Sequence, residues 1–120
     1  MIHEHSKKVY SMKLPKSIKV GYADISIIPM QQLEGLSHGI FGHFSVTELS
    51  IRIIQDLPVS QIANTLLHEV LHACYHVAGL EDTDEEERIV TCLANVYLNV
   101  MIDNPEYNKF MQRCLNESKK

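Results

Sequence analysis

The stretch TLLHEVLHACYHVAGLEDTDEEERIV, residues 65–90, contains a His-Glu-x-x-His pattern followed by an acidic segment. At about 100° per residue, the apolar side chains before Gly79 occupy one broad arc of a helix. The polar side chains occupy the other arc and comprise Thr65, His68, Glu69, His72 and His76. We predict a helix over residues 61–79, with Ser60 as its N-cap and its polar arc facing away from the core.

Helices and strands are segregated along the rest of the chain. A second helix is predicted at 84–101, capped by Asp82 or Thr83, and a short third helix at 106–115. Upstream, the β-branched residues of 18–28 predict one strand. This order indicates an α+β fold in which a small N-terminal antiparallel sheet precedes the helices.

Residues 41–54 complete the predicted sheet. The segment FGHFSVTELSIRII predicts two short strands around a tight connection at Ser45–Glu48. At 120 residues the chain is long enough for one domain, residues 1–120, with its core at about 18–105.

The composition excludes several classes of function. The net charge is −4, and short basic stretches occur only at the two ends, so we expect no nucleic-acid partner. No apolar run is long enough to cross a bilayer and the N-terminus has no apolar signal segment, so we expect a cytoplasmic protein without membrane contact. Cys74, Cys92 and Cys114 form no CxxC pair and are expected to be small buried side chains in a reducing compartment.

The His-Glu-x-x-His pattern has a defined chemical use. Histidines at positions i and i+4 of a helix point the same way, so His68 and His72 can hold one Zn²⁺ ion. Glu69 is turned about 100° from His68, too far to be a ligand but near enough to reach a water on the metal. Glu69 is therefore the predicted general base and the only predicted catalytic residue.

A catalytic zinc site needs a third protein ligand. His76 is a poor candidate, because His68 and His76 are about 12 Å apart along a straight helix and cannot converge on one ion. A carboxylate at the start of the second helix is the better candidate. Helical periodicity places Glu86 under the centre of the apolar arc, where a carboxylate needs an ionic partner, and Glu87 at its edge. Periodicity alone slightly favours Glu86 as the ligand.

The segments LLHEVLHACYHVAGL and EEERIVTCLANVYLNVMIDNP resemble the small gluzincin-like metallopeptidases of phages and prophages, relatives of the ImmA/IrrE type. The part from Glu87 to Ala94 fits a family pattern E-x-x-V-x-x-L-A. The resemblance covers about residues 18–105. It implies a minimal zincin-like fold, zinc as cofactor and Glu87, rather than Glu86, as third ligand beside His68 and His72.

The resemblance also implies a protein or peptide substrate, in the host cytoplasm if the protein is phage-encoded. Residues 41–54 could supply an edge strand that pairs with the substrate. The candidate oxyanion donors are His43, His38, Tyr22 and Tyr97. The alternative function is a non-catalytic zinc-binding accessory protein of phage type that binds a host protein. The oligomeric state stays open.

Overall fold

The computed structural model describes residues 13–31 and 41–119, and within these ranges it is a small α+β domain with four strands and three helices. The predicted α+β class is confirmed. The strands are β1 (Ser17–Val20), β2 (Ala23–Met30), β3 (Gly42–Ser45) and β4 (Ser50–Ile54). The helices are α1 (Val59–Val77), α2 (Glu85–Asp103) and α3 (Pro105–Ser118).

The strand predicted over 18–28 is in fact a hairpin. β1 and β2 pair antiparallel, with Val20 opposite Ala23 across a two-residue turn. Gly21 in this turn has φ +59°, a conformation that favours glycine. A Cβ atom at Gly21 would also lie 2.6 Å from Val77 Cγ1, so the turn approaches the end of α1 closely. The alternation of apolar residues continues across this turn, which is why the pattern predicts one strand.

The sheet has the order β1-β2-β4-β3, and its central pair, β2 and β4, is parallel. The prediction of an antiparallel sheet is therefore wrong for the central pair, although the two outer pairs are antiparallel. β3 and β4 do form the predicted antiparallel hairpin. β4 lies between β2 and β3 in the sheet, and it runs parallel to β2. Ile51, Ile53 and Ile54 of β4 are fully buried. A strand this apolar loses most contact with water in the middle of the sheet, where both of its edges are paired.

The β3–β4 connection is as tight as predicted. The backbone N–H of Glu48 donates to Ser45 Oγ at 3.1 Å, and Leu49 has φ +51°. β3 pairs with β4 alone and is an edge strand of the sheet.

α1 packs against one face of the sheet. The core joins buried residues of β1, β2, β4 and α1: Val20, Ala23, Ile25, Ile27, Ile51, Ile53 and Ala73. The predicted end of the helix at Gly79 is close to the observed one, and Gly79 has φ +77°. The predicted N-cap is wrong: Pro58 occupies this position and Ser60 lies in the first turn.

α2 packs against α1, with Val90 and Ala94 buried. Its N-cap is Asp84, and the N–H of Glu85 donates to Thr83 Oγ1 at 3.3 Å. The predicted helices at 84–101 and 106–115 therefore both form, with slightly longer ranges. The prediction of buried cysteines is wrong, since Cys74, Cys92 and Cys114 are all exposed and free. Within the described ranges, no helix has the length and apolarity needed to cross a membrane.

Candidate metal centre

α1 is covered on two sides, which changes the expected position of its polar arc. Thr65 and Glu69 were predicted to face away from the core, but only 6% and 7% of their surfaces are exposed. Gly42 of β3 lies over both residues: a Cβ atom there would be 2.6 Å from Thr65 Cγ2 and 3.4 Å from Glu69 Cγ. The prediction that the polar arc faces away from the core is wrong for Thr65 and Glu69, because Gly42 has no side chain and lets β3 lie directly on the helix.

His68 and His72 of α1 meet Glu87 of α2 in one cluster. One ligand atom from each residue lies within 4.8 Å of the other two, so the three could hold a metal ion. The Nε2 atoms of the two histidines are 3.2 Å apart. The Glu87 carboxylate lies 3.2 Å from His68 Nε2 and 2.8 Å from His72 Nε2. Two nitrogens bound tetrahedrally at the usual Zn–N distance are roughly 3.3 Å apart, so the spacing fits a shared ion.

Glu86 and Glu87 have different surroundings, although they are neighbours in the chain. Glu86 Oε2 lies 2.6 Å from Nδ1 of His72, on the side of the ring away from the cluster, and its side chain is 15% exposed. The Glu87 side chain is 68% exposed and faces both histidines. Helical periodicity thus correctly predicted that Glu86 is inward and needs a partner, and its partner is His72.

The two carboxylates act on the ionisation of His72. Burial alone would lower the pKa of His72, but hydrogen bonds with Glu86 and Glu87 raise it above its ordinary value. Partial burial raises the pKa of Glu87, whereas the hydrogen bond from His72 and the nearby His68 lower it, so that it ends below its ordinary value. Both ring nitrogens of His72 thus face a carboxylate, an arrangement that favours a positive charge at this point.

Glu69 is the one buried carboxylate of the site. Burial raises its pKa to about 7, an effect that the proximity of Glu87 increases and the proximity of His72 decreases. A hydrogen bond from the backbone N–H of Phe44 lowers the pKa and holds the carboxylate toward β3. Glu69 therefore lies between the edge strand and the histidine pair.

An open cleft of about 890 Å³ contains all of these groups. It lies between β3 and the histidine face of α1, and Asp82, Thr83 and Asp84 before α2 also line it. Phe41, Val46 and Leu80 contribute partly exposed apolar surface to it. His76 lines the cleft but stands apart from the cluster, and its ring packs on Phe44 with the ring centroids 6.2 Å apart.

The four candidate oxyanion donors are placed differently. His43 on β3 lines the cleft. Tyr22 is 74% exposed in the β1–β2 turn, and Tyr97 lies beside Tyr107 at the far part of α2, so neither of these described residues borders the cleft. His38 lies outside the described residues.

The resemblance implied an edge strand within residues 41–54, but the sequence did not show that β3 also positions Glu69. Gly42 and the backbone of Phe44 position Glu69, and Gln61 and Asn64 extend the cleft along α1. One signal was present, because a glycine within a strand often marks the close approach of another element. The hydrogen bond from the backbone N–H of Phe44 does not depend on the side chain at this position, so the sequence could not reveal it.

No protein-family model matches this chain, and no curated protein and no solved structure matches it significantly.

Proposed function

We propose that the protein is a zinc-dependent hydrolase of the metallopeptidase type. The observation that carries this proposal is the convergence of His68, His72 and Glu87 beside the buried Glu69 in an open cleft. Two imidazole nitrogens and one carboxylate form a common donor set of catalytic zinc sites, and three protein ligands leave a coordination position free. When bound, zinc supplies Lewis-acid activation of water and polarises a substrate carbonyl.

Glu69 and Glu86 have different roles in the proposed reaction. Glu69 acts first as a general base: its carboxylate accepts a proton from the water that attacks the peptide carbonyl carbon. It then acts as a general acid and passes this proton to the amine that leaves when the C–N bond breaks. The hydrogen bond from Phe44 and the packing of Gly42 keep this carboxylate in place. Glu86 holds the ring of His72 through Nδ1, which leaves Nε2 toward His68 and Glu87, where it would bind the metal.

The proposed substrate is an extended peptide. β3 is an edge strand and borders the cleft, so a peptide can add to the sheet there by main-chain hydrogen bonds. Such a peptide would lie across the face of α1 that carries both histidines. Among the described candidates, His43 is the one that lines the same cleft, where it could stabilise the oxyanion.

Metal analysis tests the zinc site. Protein purified without added metal is expected to contain about one zinc per chain. His68→Ala should lose the zinc. His76→Ala is the matched control, because His76 lies on the same helix outside the cluster, and it should keep the metal. Wild-type protein that binds no zinc, even when zinc is added, would contradict the proposal.

Peptide cleavage tests the role of Glu69. A mixture of short unstructured peptides of varied sequence, followed by mass spectrometry, serves as substrate whatever the cleavage site is. Glu69→Gln should keep the zinc and lose cleavage by roughly 10²–10⁴-fold, since the base is gone while the ligands remain. Cleavage that survives in Glu69→Gln would exclude Glu69 as the base.

The alternative is an accessory protein in which zinc has a structural role. The observation that favours it is that the cluster joins two helices, with His68 and His72 on α1 and Glu87 on α2. In that case zinc would be present and no peptide would be cleaved by the wild-type protein. Glu69→Gln would then affect only stability.

A further inference from the structure

α3 is a helix of 14 residues in which no residue is buried. Its apolar side chains follow the spacing i, i+3, i+4, i+7, i+8 and comprise Tyr107, Phe110, Met111, Cys114 and Leu115. This spacing creates a single apolar face along the helix. A helix of this length is marginal in water unless such a face is packed. Among the described residues, α3 contacts the last part of α2 through Tyr107 and Asn108, and its apolar face is left exposed.

The apolar surface of α3 continues onto α2. The Tyr107 hydroxyl lies beside that of Tyr97, an interaction that raises the pKa of Tyr107. Leu93 and Val96 lie within about one turn of Tyr97 and are 56% and 62% exposed. Phe110, in the middle of the α3 face, is 58% exposed.

The size of this surface suits a protein interface. The exposed fractions of Leu93, Val96, Tyr97 and the apolar residues of α3 correspond to roughly 700 Å² of side-chain surface, close to the ~800 Å² that each partner buries in a stable complex. Exposed apolar patches of this extent usually mark interaction sites.

The charges beside the apolar face of α3 are self-complementary. Glu106 and Arg113 are seven residues apart, which places them on the same flank two turns from each other. If two α3 helices pack antiparallel and are centred near Phe110, Glu106 of each copy lies opposite Arg113 of the other. A two-fold axis produces this contact twice, as an isologous interface requires.

We propose that α3 and the adjoining face of α2 form a dimerisation surface. This surface binds the same surface of a second copy of this chain, with the two α3 helices antiparallel. The surface shares no residue with the metal cleft, so it extends the proposed function without depending on it.

The mass of the full-length protein in solution tests the proposal. Sedimentation equilibrium under reducing conditions, which exclude a disulfide through Cys114, should give twice the chain mass of 13.7 kDa at concentrations of ~100 µM. Phe110→Glu should weaken the dimer at least tenfold. Asn116→Glu adds the same charge to the opposite side of α3 and should leave the dimer intact. Circular dichroism checks that both variants keep their helix content.

Charge reversal tests whether α3 binds α3 of a second copy and whether the two helices are antiparallel. Glu106→Arg and Arg113→Glu should each weaken the dimer severalfold, because each places like charges opposite one another. The double variant should recover the dimer, a result that only α3 packing on α3 produces. A monomeric wild type overturns the proposal, as does equal dimerisation of Phe110→Glu and Asn116→Glu. A double variant that is no more dimeric than its parents overturns the antiparallel arrangement.

Discussion

Glu69 is a carboxylate in a place where its charge is costly. It is 7% exposed and accepts a backbone hydrogen bond from Phe44, and burial raises its pKa to about 7. A cation held by His68, His72 and Glu87 would lower this pKa, because a positive charge favours the ionised form. Metal binding and the ionisation of Glu69 are therefore expected to be coupled, and the metal-free protein should show the cost of the charge directly.

The pH dependence of stability measures that cost. The folded-state pKa of Glu69, about 7, lies above its ordinary value of 4.5, so the protonated form stabilises the fold below pH 4.5 and this contribution is lost as the pH rises through 7. In metal-free protein, Glu69→Gln should match wild type near pH 4.5. It should exceed wild type above pH 8 by up to ~3 kcal/mol in the free energy of unfolding. Urea unfolding with a chelator present provides the measurement.

Glu81→Gln is the control for this experiment, because Glu81 is exposed. Its stability should differ from wild type by a constant small amount at both pH values. A Glu69→Gln variant that shows no gain in relative stability between the two pH values would contradict the raised pKa of the buried Glu69.

Glu86 should affect zinc binding without being a ligand. Its carboxylate lies 2.6 Å from His72 Nδ1 and fixes the ring orientation. Glu86→Gln should weaken zinc binding by roughly 10–100-fold, the usual effect of removing such a partner. Glu87→Gln should weaken it further, because it removes a proposed ligand. Competition with a chromophoric chelator gives the affinities, and Glu85→Gln, whose residue pairs with Arg88 on the surface, is the control. Equal losses in Glu86→Gln and Glu87→Gln would contradict this division of roles.

The candidate site was predictable from sequence to the extent that it lies within one helix. The spacing of His68, Glu69 and His72 fixes their relative directions on α1. Helical periodicity also placed Glu86 inward correctly. It could not identify the partner of Glu86, because that depends on how α2 packs on α1. Periodicity alone therefore could not decide between Glu86 and Glu87; the resemblance pointed to Glu87, which is the residue that meets His68 and His72 in the structure.

At the scale of elements, the extended segments were predictable, but the turn between β1 and β2 and the order of the strands were not. Alternation specifies which face of a strand is buried and says nothing about which strand lies beside it. The three buried isoleucines of β4 suit a central position, yet the sequence could not show that β4 would insert between β2 and β3. The same limit explains why Thr65 and Glu69 were wrongly predicted to face away from the core. The helical periodicity of α1 could not show that β3 packs on this side of the helix.

The contact between β3 and α1 can be tested at Gly42. Gly42→Ala would bring a Cβ atom to 2.6 Å from Thr65 Cγ2 and 3.2 Å from the carbonyl oxygen of Arg52. The overpacking should lower the free energy of unfolding by about 1–3 kcal/mol. Thr65→Ser removes the methyl group that the new Cβ atom meets, so the double variant should recover part of the loss.

Chemical unfolding of the four proteins, wild type, both single variants and the double variant, gives the interaction energy between positions 42 and 65. A positive recovery supports direct contact. Strictly additive effects would mean that Gly42 and Thr65 do not touch.

For the whole molecule, the candidate metal centre connects the two parts of the fold. α1 is anchored in the core with the sheet through Ala73, whereas α2 contributes only Val90 and Ala94 as buried residues. Apart from packing, the described side-chain links between α1 and α2 are the contacts of Glu86 and Glu87 with the histidines and one hydrogen bond from Asn64 to Asn95. An ion at His68, His72 and Glu87 would therefore attach α2 to the rest of the domain.

Hydrogen exchange should reveal this attachment. If zinc binds the folded state as proposed, it should stabilise this state by about 4 kcal/mol at a free concentration 1,000 times the dissociation constant. Removal of zinc should speed amide exchange most at the start of α2, around Glu86 to Val90. Exchange in β4, which is buried in the sheet, should change least as long as the metal-free protein remains folded. His68→Ala should behave like metal-free protein whether or not zinc is added, and His76→Ala should respond like wild type. If zinc protected β4 and α2 equally, the metal would act on global unfolding alone, and α2 would not be a separately attached part of the fold.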